Sequence, residues 1–313
     1  MKGYKAFKKG LICRDKQYAE NTVFEEDEAI IRDRGMHFCI NPLDTLEYYP
    51  LIDDEGNMTE FAEVEALETP VTDDNKKYCT KKLRVGAKMD LSAFIKASFS
   101  VTYENIKKEV ENSVKDVKSG GDHSRLAGGD HSTLAGGYNS TLAGGDHSRL
   151  AGGDHSRLAG GIYSTLAGGI YSTLAGGYNS TLAGGDHSTL AGGDHSRLAG
   201  GDHSTLAGGY NSTLAGGDHS TLAGGDHSIL AGGDHSRLAG GDHSRLASGY
   251  NSILAGGDAS IAKGKKGTVI LLVECDTNYN IVHFKAEQVD GERIKEDTFY
   301  KLENGEFAEV NLV

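Results

Sequence analysis

One feature constrains this chain more than any other. From Gly121 to about Gly264 the eight-residue phrase Gly-Asp-His-Ser-x-Leu-Ala-Gly recurs without insertion or deletion, its serine falling at Ser124 and at every eighth position through Ser260, eighteen copies in all. A short period held this strictly predicts an elongated stack of near-identical coils, because a single copy cannot bury its apolar side and must lean on the next. The repeat also explains the composition: 44 Gly and 3 Pro in 313 residues, with neither the three-residue period of collagen nor the irregularity of a linker.

Within the octamer, variation separates inside from outside. In extended backbone alternate side chains share a side, so Ser124 and Leu126 point one way and His123 and Arg125 the other. Ser occurs in all eighteen copies and Leu in seventeen, whereas the residue between them is Thr nine times, Arg six times and Ile three times. A position that accepts Thr, Arg or Ile faces solvent, and one held at Leu is buried. The expected core columns therefore begin Ser124, Leu126, Ser132, Leu134, Ser140 and Leu142. The expected surface columns begin Asp122, His123, Arg125, Asp130, His131, Thr133, Asp146, His147, Arg149, Asp154, His155 and Arg157. Ala-Gly-Gly is expected to turn the corner, its small residues admitting close coil approach and unusual backbone angles. Small side chains and a thin core favour two octamers per coil, hence nine coils and a rod of roughly 40 Å at ~4.8 Å per coil. Tyr-Asn replaces Asp-His at Tyr138, Tyr178, Tyr210 and Tyr250, in both odd and even copies, so no one-sided tyrosine column is expected.

Phrases such as Gly-Asp-His-Ser-Thr-Leu-Ala-Gly-Gly and Asn-Ser-Thr-Leu-Ala-Gly-Gly-Tyr resemble the octapeptides of bacterial ice-nucleation proteins. The resemblance covers about 46% of the chain and implies a β-solenoid, together with an ice-organising Thr-x-Thr surface and a tyrosine ladder. The sequence departs from that pattern: it has no Thr-x-Thr, and Thr133, Thr141, Thr165 and Thr173 are interrupted by Arg149 and Arg157. Flanking phrases, among them Tyr4-Lys-Ala-Phe7, Gly35-Met-His-Phe-Cys39 and Asn41-Pro-Leu-Asp44, resemble an uncharacterised head domain of bacterial and phage repeat proteins, from which no functional residue carries over.

The expected architecture is mainly β: an α+β head at 1–87, a helical connector at 88–119, the octapeptide solenoid at 120–264 and a β cap at 265–313. Strands are expected at Tyr4–Phe7, Phe38–Ile40, Phe61–Leu67 and Lys81–Val85. Asp90 is placed to cap a helix with Leu91, Phe94, Ile95 and Ser98 on one face, and a second stretch places Ile106, Val110 and Val114 four apart, so one or two helices are expected. In the cap, Asn304-Gly305 reads as the turn of a hairpin that closes the open end of the stack.

Net charge is -13, the octamers contributing six Arg against twelve Asp, which disfavours direct binding to nucleic acid but leaves mimicry of it open. Cys13, Cys39, Cys79 and Cys275 show no zinc-ligand spacing and read as reduced thiols. No apolar signal segment or membrane-length run is present, so the expected location is cytoplasmic, with virion association an alternative. No phosphate loop, nucleophile elbow or convergent acid-base pair is found. His37 and Cys39 share a strand side, yet beside Met36 and Phe38 they read as core residues. The expected function is a non-enzymatic rod-like scaffold without cofactor or metal, meeting a protein partner or a second copy of itself. Ice binding and an acidic imitation of nucleic acid are the alternatives. Eleven Asp-His copies add an imidazole column whose charge changes in the physiological pH range.

Overall fold

Sixteen residues, two octamers, make one coil. We describe the fold from a computed structural model covering backbone residues 1–53, 57–112 and 117–310; side chains at 92, 107–112 and 117 lie outside the described residues. The chain is mainly β, a solenoid of about ten coils preceded by a small α+β head. Every solenoid strand pairs in parallel with the strand sixteen residues on, so Leu134 meets Leu150 and Leu142 meets Leu158. Two sheets result. Face A begins with Val117–Ser119, Thr133–Ala135 and Arg149–Gly152, and face B with Arg125–Ala127, Thr141–Ala143 and Arg157–Ala159.

The core columns lie inside as the variation implies. Leu134 through Leu254 are 0–2% exposed and Ser132 through Ser260 are 0–3% exposed, while Ser124 and Leu126, in the first coil, are only partly buried. Most of the serines keep their hydrogen bonds when buried, Ser132 Oγ being left without a partner among the described residues. Ser196 donates its N–H to Ser212 Oγ at 3.3 Å and its hydroxyl to the Gly177 carbonyl at 3.3 Å, and the pattern repeats along both sides of the core. A residue of this size with both a donor and an acceptor fits a core too thin for larger polar groups.

The corners differ from expectation. The two glycines of each octamer do not have positive φ; the left-handed residue is the one before Ser, at φ +59° in His123, +54° in Asn139, +57° in Tyr171 and +52° in Ala259. His and Asn are among the side chains that tolerate this conformation best. Of the two tasks expected of the glycines, close coil approach is the one they serve. A Cβ on Gly152 would lie 2.6 Å from Ser156 Cβ, and one on Gly161 would lie 2.1 Å from Asp146 Oδ1 and 2.8 Å from the Asp146 backbone nitrogen. Asp-His therefore occupies the narrow edges of the coil, and Thr, Arg or Ile the flat faces, so the two sets do not share one surface.

Parallel register continues past Gly264. Thr268 takes the Ser position, donating to the Gly249 carbonyl at 2.8 Å, and Val269–Cys275 pairs with Ile253–Gly256 with Ile270 opposite Leu254. Both stacks then end in antiparallel strands: Ile281–Gln288 on face B, and the hairpin Tyr300–Glu303/Glu306–Glu309 on face A. Asn304 and Gly305 both have positive φ, as a two-residue type I′ turn requires, and their N–H groups donate to Glu274 at 3.1 and 3.0 Å.

The head carries a seven-stranded antiparallel sheet in the order Thr22–Glu25, Lys82–Met89, Glu60–Ala66, Lys2–Phe7, Met36–Cys39, Lys77–Thr80, Val71–Thr72. Phe7, Tyr18, Met36, Phe38, Val64 and Leu83 form its core. The connector is one helix, Leu91–Asn112, opened by Asp90 accepting the Ala93 N–H at 2.7 Å. Phe94, Ile95, Ser98 and Ile106 are buried as expected, and Phe94 stacks on Phe61 at 4.1 Å; the side chains of Val110 and Val114 lie outside the described residues.

Close coil approach makes a specific demand on sequence. Gly161→Ala is expected to lower solenoid stability by about 1–3 kcal/mol through overpacking. Asp146→Ala, which removes the acceptor of the Ile162 N–H, is expected to cost about 1 kcal/mol or more, and Asp146→Asn distinctly less, as read from urea midpoints.

Candidate functional site

The surface set apart by the repeat is its pair of edges. One edge turns from face A to face B through Asp122-His123, Tyr138-Asn139 and their successors; the other turns back through Asp130-His131, Asp146-His147 and theirs. Along each, the backbone corner is tied to the next coil by two bonds. The His123 N–H donates to the Tyr138 carbonyl at 2.8 Å, and Asp122 Oδ1 accepts the Tyr138 N–H at 2.8 Å. Asp130, Asp146 and Asp154 do the same for Asp146, Ile162 and Ile170. One carboxylate oxygen of each is thus a structural acceptor, a charge-assisted bond that offsets the placing of Asp above Asp along an edge.

The rings complete the arrangement. On the first edge His123, Tyr138, His155, Tyr171, His187, His203, His219 and His235 follow one another with centroids 4.6–5.8 Å apart. On the second, His131, His147, Tyr163, Tyr178, His195, Tyr210, His227 and His243 do so at 4.8–6.0 Å. Tyr138, Tyr178 and Tyr210, which look scattered along the sequence, are members of these two ladders. The signal was available in the exceptions: Asp-His, Tyr-Asn and the unweighed Ile162-Tyr163 and Ile170-Tyr171 each carry one ring per corner. Where Asn takes the left-handed position, the tyrosine one residue earlier supplies the ring, and Asn139 Nδ2 and Asn211 Nδ2 lie 3.3 Å from His123 Nδ1 and His195 Nδ1.

Of the twelve surface-column residues, Thr133 and Asp146 are half-buried and the other ten exposed. The faces are unequal. On face A the Ala column from Ala151 to Ala247 is buried, whereas on face B Ala127 through Ala239 are exposed. Face B carries the longest threonine run, Thr173, Thr189, Thr205 and Thr221, bounded by Arg157 and Arg237.

In the head, His37 and Cys39 lie on the strand Met36–Cys39 between two neighbours. His37 Nε2 accepts the Arg32 N–H at 2.9 Å, and burial, with the charges of Lys77, Lys5 and Arg14, pushes its pKa down to about 4. Burial, followed by the Asp44 charge, pushes the Cys39 thiol up to about 12. A neutral imidazole with its acceptor nitrogen engaged and a protonated, 3% exposed thiol are packing groups. All four cysteines are free, no cluster of three or more metal-ligating side chains occurs among the described residues, and no described helix is long and apolar enough to cross a membrane.

A family model described as a domain of unknown function, DUF7666, matches residues 1–97. The match spans the head and the first turns of the helix and none of the octamers. No curated protein and no solved structure matches the chain, so the likeness to ice-nucleation solenoids has no support beyond the repeat phrase.

The depressed His37 pKa fixes a sign. Between about pH 6.5 and 4 the unfolded chain takes up a proton at His37 that the folded chain does not, so stability falls as pH drops through that window. The difference between wild type and His37→Gln in denaturation free energy is expected to change over this window by no more than ~3 kcal/mol, and to stay constant above pH 7.

Proposed function

We propose that the chain is a non-enzymatic scaffold whose two ring-lined edges engage a protein partner. The repeat is a β-solenoid scaffold in its architecture; the partner surface is our reading. Its main support is the continuity of the ring ladders: replacements at the corner alter charge and shape while a ring is kept. Tyr138, Tyr163, Tyr171, Tyr178 and Tyr210 are 42–53% exposed, and Ile162 and Ile170 widen the apolar area beside them. Rigid amphipathic rings give contact area at low entropic cost and dominate many protein interfaces. Because the edge carboxylates are partly committed to backbone N–H groups, a stacking rail accounts for the surface better than an imitation of a phosphate backbone.

A second reading, self-association, is favoured at the C-terminal end. The outermost strand of face B, Ile281–Gln288, and the turn before it expose Tyr279 at 84%, Ile281 at 64% and Phe284 at 73%. An apolar edge strand of this kind is a template for pairing with another chain.

Triple substitution Tyr163→Ser/Tyr171→Ser/Tyr178→Ser is expected to abolish capture of a partner that immobilised wild-type chain retains from bacterial lysate. Equal capture by both would remove the ring-edge reading, and a wild-type chain that sediments as a dimer until Phe284→Ser is introduced would establish the second. Ice binding would have to rest on the four-threonine run of face B; droplets freezing no warmer than buffer would dismiss it.

A further inference from the structure

The head carries a half-open cavity of about 620 Å³, within the range of small-molecule sites, and the solenoid reading gives it no task. Its wall includes Lys5, a lysine only 4% exposed on the strand Lys2–Phe7. Lys5 Nζ donates to the His37 carbonyl at 2.8 Å and to Cys13 Sγ at 3.3 Å, and lies 5.3 Å from the Tyr18 ring centroid. An ammonium has three donors, so one remains without an acceptor among the described residues, in a position where burying an unsatisfied charge is costly. Among the described residues no carboxylate lies within ion-pair distance of Lys5.

Two further cations line the same cavity without a carboxylate partner among the described residues. Arg14 Nη1 donates to the Asp33 carbonyl at 2.8 Å, and Lys77 Nζ stands 3.7 Å from the centroid of the Tyr48 ring. The remaining basic wall residues are neutralised, Lys16 by Glu26 and Arg34 by Glu28 and Asp33, while Asp15 and Asp27 stand on the exposed rim. The charges of Lys77, Lys5 and Arg14 all act on His37, which places the three around one point of an otherwise acidic chain. Tyr48 and Tyr49 line the same cavity, and Tyr49 donates its hydroxyl to Cys13 Sγ at 3.0 Å.

We infer that this cavity is a binding site for a small organic anion, a planar ring bearing a carboxylate or phosphate, with Lys5, Arg14 and Lys77 receiving the anionic group and the tyrosine rings the planar part. Cys13, partly exposed and hydrogen-bonded by both Lys5 and Tyr49, marks the floor of the site.

Four probes test this on the full chain: phenyl phosphate, benzoate, phenol and inorganic phosphate, each titrated by calorimetry and used to protect Cys13 from iodoacetamide. Phenyl phosphate or benzoate is expected to bind at least tenfold more tightly than phenol and to slow alkylation of Cys13 while leaving that of Cys275 unchanged. Lys5→Met is expected to weaken binding at least tenfold; should that buried substitution unfold the head, Arg14→Ala and Lys77→Ala, both less buried, are each expected to weaken it severalfold with the circular-dichroism spectrum retained. Equal affinity for phenol and the anions, an unaffected Cys13 rate, or unchanged affinity in the Arg14 and Lys77 variants would overturn the assignment. Inorganic phosphate binding as tightly as phenyl phosphate would reject the part given to the ring.

Discussion

Like stacks on like throughout the solenoid, because strict sixteen-residue register places every side chain beside its own counterpart in the next coil. For Leu, Ser and the corner rings this is favourable: apolar columns bury one another, hydroxyls relay hydrogen bonds, and planar rings lie at stacking distance. For charge it is adverse, and the sequence deals with each case separately. Each corner Asp from Asp122 to Asp258 turns one oxygen to a backbone N–H of the coil that follows. Arginine is spaced instead. Arg149 and Arg157, consecutive in the repeat, fall on opposite faces, as do Arg237 and Arg245, and no Arg is paired with an Arg on either face.

The same principle explains what could be read without coordinates. Periodicity gave the coil, and tolerance at the position between Ser and Leu separated outside from inside, since a buried site cannot accept Thr, Arg and Ile in turn. The Arg spacing was a further signal for two octamers per coil. At the corner the close approach expected of glycine holds, its missing Cβ making room for the Asp carboxylate and for the Ser below, but the unusual backbone angle assigned to it does not. The left-handed angle falls to His123 and its equivalents, and treating that residue as extended merged the edge with the face.

The head was legible in its strands but not in its chemistry. Lys2–Phe7, Met36–Cys39, Glu60–Ala66 and Lys82–Met89 lie where β-branched and aromatic residues suggest them. Which side chains converge depends on sheet order, and that order brings together Lys5, Cys13, Tyr49 and Lys77, residues up to 72 positions apart with no shared motif. Attention to His37 and Cys39 followed from their closeness in sequence; the partly exposed sulfur is that of Cys13.

The division of each coil into two non-equivalent halves also governs how such an array can change length. The octamer is the unit of the sequence, but the coil is the unit of the structure. Gain or loss of two octamers leaves every later residue on its face. A single octamer transposes them all, delivering Ile281–Gln288 to the sheet with buried alanines and the hairpin from Tyr300 to the open one. Growth compatible with both the caps and the ladders is therefore quantised in steps of sixteen residues, a parity rule written into the fold by the alternation of its two faces.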